Sequence, residues 1–230
     1  MESIQVEFDA LAERAIPNFE PARKIWPTSI RLVMWLGIEA VVLVLVALID
    51  PRPDLFAQLH NPGFVAPIGV FILGGIIAAG LALRAAIPGR EPARIELVLI
   101  ALLAPLAVAA VFLVPVTAVP PFWQFIRAGS WCLGCTLALA AIPWLVLFWA
   151  VERGAPFMLN TEGALIGAAA FSFAFAASRL GCPIDNRLHI LVWHALPVFV
   201  ATLLSIRAGA AWLQRERASR IASPPRFHAL

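Results

Sequence analysis

An all-α, polytopic integral membrane protein with six transmembrane helices is the fold this sequence predicts, and three observations predict it. Of 230 residues, 61% are hydrophobic and only 13% charged, with a mean hydropathy of +0.88; a soluble domain of this size would expose far more charge. The apolar residues gather into six stretches of about 20, the length that crosses a hydrocarbon layer of roughly 30 Å. The stretches are continuously apolar and do not alternate, which excludes barrel strands. A helix keeps every backbone hydrogen bond within the segment, as lipid requires.

The stretches cover residues 31–49, 66–86, 95–116, 131–151, 161–179 and 188–213. Residues 1–28 are too polar for a cleavable leader, so the first stretch is read as a retained anchor. It contains Glu39, a carboxylate deep in an apolar run. Intramembrane acids are costly and often functional, but an ion path needs several, and the other acids fall at helix ends or in loops. A packed Glu39 is therefore expected over a transport role. Arg84 closes the second stretch. Pro105 and Pro143 lie inside the third and fourth and are expected to kink them. Trp123 and Trp131 flank the start of the fourth and fit an interfacial aromatic belt. The fifth opens with Gly163-Ala-Leu-Ile-Gly167. This small-residue motif lets backbones approach; internal packing is its expected use and a homodimer face the alternative.

Basic residues set the orientation. With the N-terminus inside, thirteen of the seventeen Lys and Arg residues lie on the inner side, and only Arg52, Arg127, Arg179 and Arg187 lie outside. Both termini are thus expected in the cytoplasm, with three parts to the chain: an acidic segment 1–28, a six-helix domain 29–213 and a basic tail 214–230. The net charge of +3 needs no nucleic-acid partner; the tail arginines suit anionic headgroups.

The N-terminal segment carries Glu2, Glu7, Asp9, Glu13 and Glu20 against Arg14 over its first twenty residues. Ile4, Phe8, Leu11 and Ala15 share one helical face, and Pro17 ends that helix. Such a segment is too short to fold alone but can fold onto a partner. A surface helix or a disordered tail is the alternative, although the inner leaflet repels an acidic helix.

Under this topology Cys132, Cys135 and Cys182 all fall on the outer, oxidising side. Either Cys132 or Cys135 could pair with Cys182, and the CxxC spacing of Cys132 and Cys135 also suits a metal or redox pair. His189 and His194 follow Cys182, and His60 lies in the first outer loop. Thiolates and imidazoles together bind soft or borderline metal ions. Against this, cysteine is readily buried without any function.

The stretch Leu180-Gly-Cys-Pro-Ile-Asp-Asn-Arg-Leu-His-Ile-Leu-Val-Trp-His194 resembles the signature near the last helix of the NrsF family, bacterial inner-membrane anti-sigma factors with six membrane helices. Cys132-Leu133, Pro143, Glu152-Arg-Gly-Ala-Pro156, Gly163 and Gly167 agree with it, as do Leu11-Ala-Glu-Arg-Ala-Ile-Pro17 and Pro21-Ala-Arg-Lys24 ahead of the first helix. The resemblance spans nearly the whole chain and is most specific over residues 132–194.

The resemblance implies a protein that holds an extracytoplasmic-function sigma factor at the membrane and releases it under stress. Its two family cysteines correspond to Cys132 and Cys182; Cys135 is an extra. Cys132, Cys182 and Cys135 are then the expected signal-sensing residues. Cys132, Cys182, His189 and His194 are the expected metal ligands, with a heavy-metal ion as signal rather than as resident cofactor. Glu7, Phe8, Asp9, Leu11 and Glu13 are the expected sigma-binding residues, acid and apolar groups that could mask a basic surface. No enzymatic activity is expected. A membrane thiol oxidoreductase that passes electrons to a quinone usually needs two cysteine pairs. A small metal transporter needs more intramembrane polar groups than Glu39 supplies. No nucleotide loop, zinc-protease motif or nucleophile elbow is present.

Overall fold

The computed structural model describes residues 25–118, 120–154 and 156–222. The acidic segment, with Glu7, Phe8, Asp9, Leu11 and Glu13, lies outside them, as does the end of the tail. Helices and turns make up the described residues, with no strand among them. Six helices are long and apolar enough to cross a membrane: α1 Thr28–Ile49, α2 Pro62–Ala85, α3 Arg94–Val111, α4 Phe122–Glu152, α5 Leu159–Gly181 and α6. The last runs from Arg187–Ile190 through a π-helical turn, Leu191–Ala195, into Leu196–Ala222.

Local chemistry sets the helix ends. Asn61 accepts the Gly63 N–H at 2.9 Å, and Pro62 at the first position of α2 has no N–H to satisfy. Glu96 accepts the Ala93 N–H at 2.8 Å and pairs with Arg84, so one carboxylate caps α3 and ties it to the end of α2.

Three expected boundaries move. α3 ends at Val111 rather than at residue 116, because the peptide beyond it turns, runs into Pro115 and becomes acceptor for another element. Arg187 donates to the carbonyls of Phe112 and Val114, and its own N–H to that of Pro115. α4 starts at Phe122, directly after Pro121, well before residue 131. Apolarity marks the part of a helix inside lipid, whereas α4 extends beyond it through Gln124, Arg127 and Ser130. Trp123 and Trp131 consequently both lie within α4, and both are exposed. α6 likewise continues past residue 213 into the basic tail.

α5 is the central helix. Of its membrane-spanning window 78% is buried, against 11% for α1 and 17% for α3, and it packs on α1, α2, α4 and α6. Small residues make this possible. A Cβ at Gly163 would lie 2.5 Å from the Ser205 carbonyl oxygen, and one at Gly167 2.6 Å from Ser205 Cβ. The GxxxG face is therefore filled by α6 of the same chain, as internal packing requires.

Side chains fix the two ends of the bundle. At one, Arg31 at the start of α1 donates to Leu83 O (2.7 Å) and Ala150 O (3.1 Å), joining it to the ends of α2 and α4. Deeper, Trp35 Nε1 donates to Pro143 O at 3.0 Å. Glu39 is buried, and a second acid joins it: Glu162, in the first turn of α5, is fully buried with neither oxygen hydrogen-bonded to a described residue. Its place at a helix end concealed this from the sequence.

Candidate thiol and imidazole site

The other end of the bundle gathers the cysteines and two histidines. They arrive from three elements. Cys132 projects from α4, with its carbonyl accepting from Thr136 Oγ1 at 2.9 Å. Cys182 directly follows α5, and its N–H bonds Ser178 O at 3.0 Å. His189 sits in the first turn of α6, where Asn186 accepts its N–H at 3.1 Å as N-cap. His194 lies in the π-helical turn. π turns often occur at functional sites; this one shifts the facing of residues within α6 and carries His194 to the same point as His189.

Cys132 Sγ lies 3.7 Å from Cys182 Sγ, and Cys182 Sγ 3.6 Å from His189 Nε2. One donor atom from each of Cys132, Cys182, His189 and His194 falls within 4.8 Å of all the others, and all four residues are buried. A tetrahedral ion with bonds of about 2.0–2.3 Å would hold its ligands roughly 3.3–3.8 Å apart. The set is thus close to a metal-binding size and would contract by about 1 Å to close on an ion.

His194 is oriented for such a role. Ser178 Oγ donates to Phe175 O at 3.0 Å and lies 2.9 Å from His194 Nδ1. With its single hydrogen committed to Phe175, the hydroxyl accepts from Nδ1–H. That tautomer leaves the Nε2 lone pair free, and Nε2 is buried with no hydrogen-bond partner among the described residues. An outer partner of this kind is what fixes metal-binding imidazoles. At Cys182 the Cys132 thiol donates to the sulfur and, with His189 alongside, holds the Cys182 thiol well below its ordinary range against the opposing effect of burial.

Cys135 stands apart. It is half-buried and outside the four-residue group. His60 is also elsewhere, exposed on the first loop and bonded to Phe56 O. Of the two thiols of the CxxC, the structure brings Cys132 to Cys182.

An ion cluster that sequence reading did not find holds the Cys182 loop. Arg52, 2% exposed, donates to Asp54 (2.7 Å), Asp185 (2.5 Å) and the Cys182 carbonyl (3.2 Å). Arg179 donates to Asp185 at 2.8 Å. The Phe64 ring lies 5.0 Å from one guanidinium and 5.2 Å from the other. Burial works against charge on Arg52, but Asp185 and Asp54 outweigh it and raise its pKa. Burial would likewise raise Asp185, yet Arg52 and Arg179 hold it below the ordinary carboxylate range. The Pro-Arg-Pro-Asp run after α1 was the available signal: charged residues beside prolines at a helix end.

A family model described as NrsF, negative regulator of sigma F, matches residues 17–214. The match includes all three cysteines and both clustered histidines, and it begins after the acidic residues 7–13. No curated protein and no solved structure matches the chain.

Proposed function

The chain belongs to the NrsF family, and from that membership we propose that it holds an extracytoplasmic-function sigma factor at the bacterial inner membrane and releases it when its outer thiol and imidazole cluster changes state. The family is one of anti-sigma factors, regulatory proteins rather than enzymes, so the oxidoreductase alternative gives way.

The observation that carries the sensor is the convergence of Cys132, Cys182, His189 and His194 from α4, the end of α5 and both halves of the π-turned start of α6. Four buried donors from three elements meet at one point, and two thiols with two imidazoles suit a soft or borderline ion. The same 3.7 Å thiol pair would close to a disulfide on oxidation. Either event draws together helices that otherwise only pack. The orientation follows from the basic residues: the Arg31 end faces the cytoplasm and the cysteine end faces out.

The sigma factor is held on the cytoplasmic face. Phe8 and Leu11 supply apolar contacts there, and Glu7, Asp9 and Glu13 pair with basic groups of the partner. This segment leads straight into α1, which Arg52 links to the Cys182 loop. The test is capture of co-expressed extracytoplasmic-function sigma factors by the full chain and by a form lacking residues 2–28. Capture by the full chain and loss in the truncation is the expected outcome. Capture by neither, with both folded in membrane, contradicts the reading.

A further inference from the structure

We propose that a membrane quinone is the oxidant of the thiol pair, reaching it through a cavity that opens from the lipid between α1 and α4. This rests on the sensor reading above and names the molecule that sets the sensor. α1 and α4 are tied in their deeper halves by the Trp35–Pro143 bond. Toward the cysteine end, a cavity of about 1250 Å³ lies between them, above the roughly 300–1,000 Å³ of sites for drug-sized ligands and so roomy enough for a larger one.

Its lining is graded. Val42, Leu45 and Leu139 line it nearer the middle of α1 and α4, while Asp50, Gln124 and Arg127 line it toward the cysteine end. Cys132, Cys135 and Cys182 all open onto it, between the two zones. Its lining includes Ile49, 77% exposed, and Trp131, 73% exposed; in a membrane, exposed apolar side chains at helix surfaces face lipid. Away from lipid, the loop carrying Cys182 is bound down by Arg52 and Asp185. Cys132 and Cys182 are themselves 9% and 5% exposed.

A ligand for this cavity must enter from the bilayer, set a polar group beside thiols and lay an apolar tail along α1 and α4. Phospholipids and isoprenoid quinones both fit the gradient. The thiols decide between them, because joining two thiols requires a two-electron acceptor. In the step, the Cys132 S–H bond breaks and its sulfur joins the Cys182 thiolate in an S–S bond, while the proton that left Cys182 on ionisation is returned from solvent. The two electrons and two protons pass to the quinone, whose two carbonyls become the hydroxyls of the quinol. The event is stoichiometric, one signal per molecule, and not a turnover cycle.

The full chain in lipid nanodiscs, holding its captured sigma factor, is exposed anaerobically to decylubiquinone. One quinol per chain and a Cys132–Cys182 disulfide in mass mapping are expected. Ala138→Trp and Val42→Trp, which fill the cavity, should slow this roughly tenfold or more while still holding the sigma factor. Diamide, small and water-soluble, enters at the polar end of the cavity by Asp50 and Arg127, away from the substituted positions, and should oxidise all three proteins equally. Absence of quinol, equal quinone rates in all three, or a phospholipid that quinone does not displace from the cavity overturns the inference. A diamide-formed disulfide that leaves the sigma factor bound instead overturns the sensor reading beneath it.

Discussion

Ser178 illustrates how one hydroxyl can determine the chemistry of a site. By giving its hydrogen to Phe175 O and accepting from His194 Nδ1, it presents a bare imidazole nitrogen to two thiols. Removing such an outer partner typically weakens metal binding about 10–100-fold. Ser178→Ala should therefore bind Cd²⁺ less tightly by that factor, read from the thiolate-to-metal absorption band, whereas Cys135→Ser should bind as the native chain does. Equal affinities for Ser178→Ala and the native chain would remove His194 from the ligand set. The residue types here were legible in the sequence: Cys132, Cys182, His189 and His194 are all chemically suited donors placed near one membrane surface. That Cys132 and not Cys135 meets Cys182 was indicated by the family resemblance, whereas spacing alone left both open. The two are a single helical turn apart, and their facing depends on how α4 rotates against α5.

At the scale of elements, two contacts govern how the helices hold together. Gly163 and Gly167 let α5 lie against Ser205 of α6, so a larger side chain must push the helices apart. Overpacking of this kind costs about 1–3 kcal/mol; Gly167→Leu should lower the denaturant midpoint of the purified protein in mild detergent accordingly. The Arg52 cluster is the second contact. Removing one partner of a buried ion pair costs about 3–5 kcal/mol, and Arg52→Met leaves Asp185 with Arg179 alone, so the lower end of that range is expected in the same assay. The cluster also predicts a pH response. The Asp185 pKa is lowered by folding, as is that of Asp54, through Arg52 and Gln58. Their stabilisation is complete above the ordinary carboxylate value of about 4 and is lost as pH falls through the lower folded values. Native stability should thus drop more steeply below about pH 4 than that of Arg52→Met; parallel curves would show that the cluster contributes nothing. Six spans were legible from apolar length alone, since lipid leaves few alternatives. Helix ends were less so: α4 begins in polar sequence after Pro121, and α3 stops where Arg187, distant in sequence, claims its following carbonyls.

For the whole molecule, the proposed function asks how an event at the cysteine end would reach the Arg31 end. Cys182 is bonded through its carbonyl to Arg52, Arg52 follows α1, and α1 is seated at its other end by Arg31 on α2 and α4. Under the proposed function, closing the thiol cluster would therefore pull on the helix that follows the acidic segment in sequence. The coupling required is modest: tenfold weaker sigma binding needs about 1.4 kcal/mol, within the roughly 1–3 kcal/mol common for allosteric linkage. Family membership was legible from the run around Cys182 and His194 because that run builds the site. The most direct measurement is the fraction of sigma factor that sediments with membranes before and after Cd²⁺ or diamide, for the native chain and for Cys132→Ser/Cys182→Ser. The account predicts release from the native chain and none from the double variant under either treatment. Equal release from both, or retention by both while the native cluster is shown to have bound or oxidised, would contradict it.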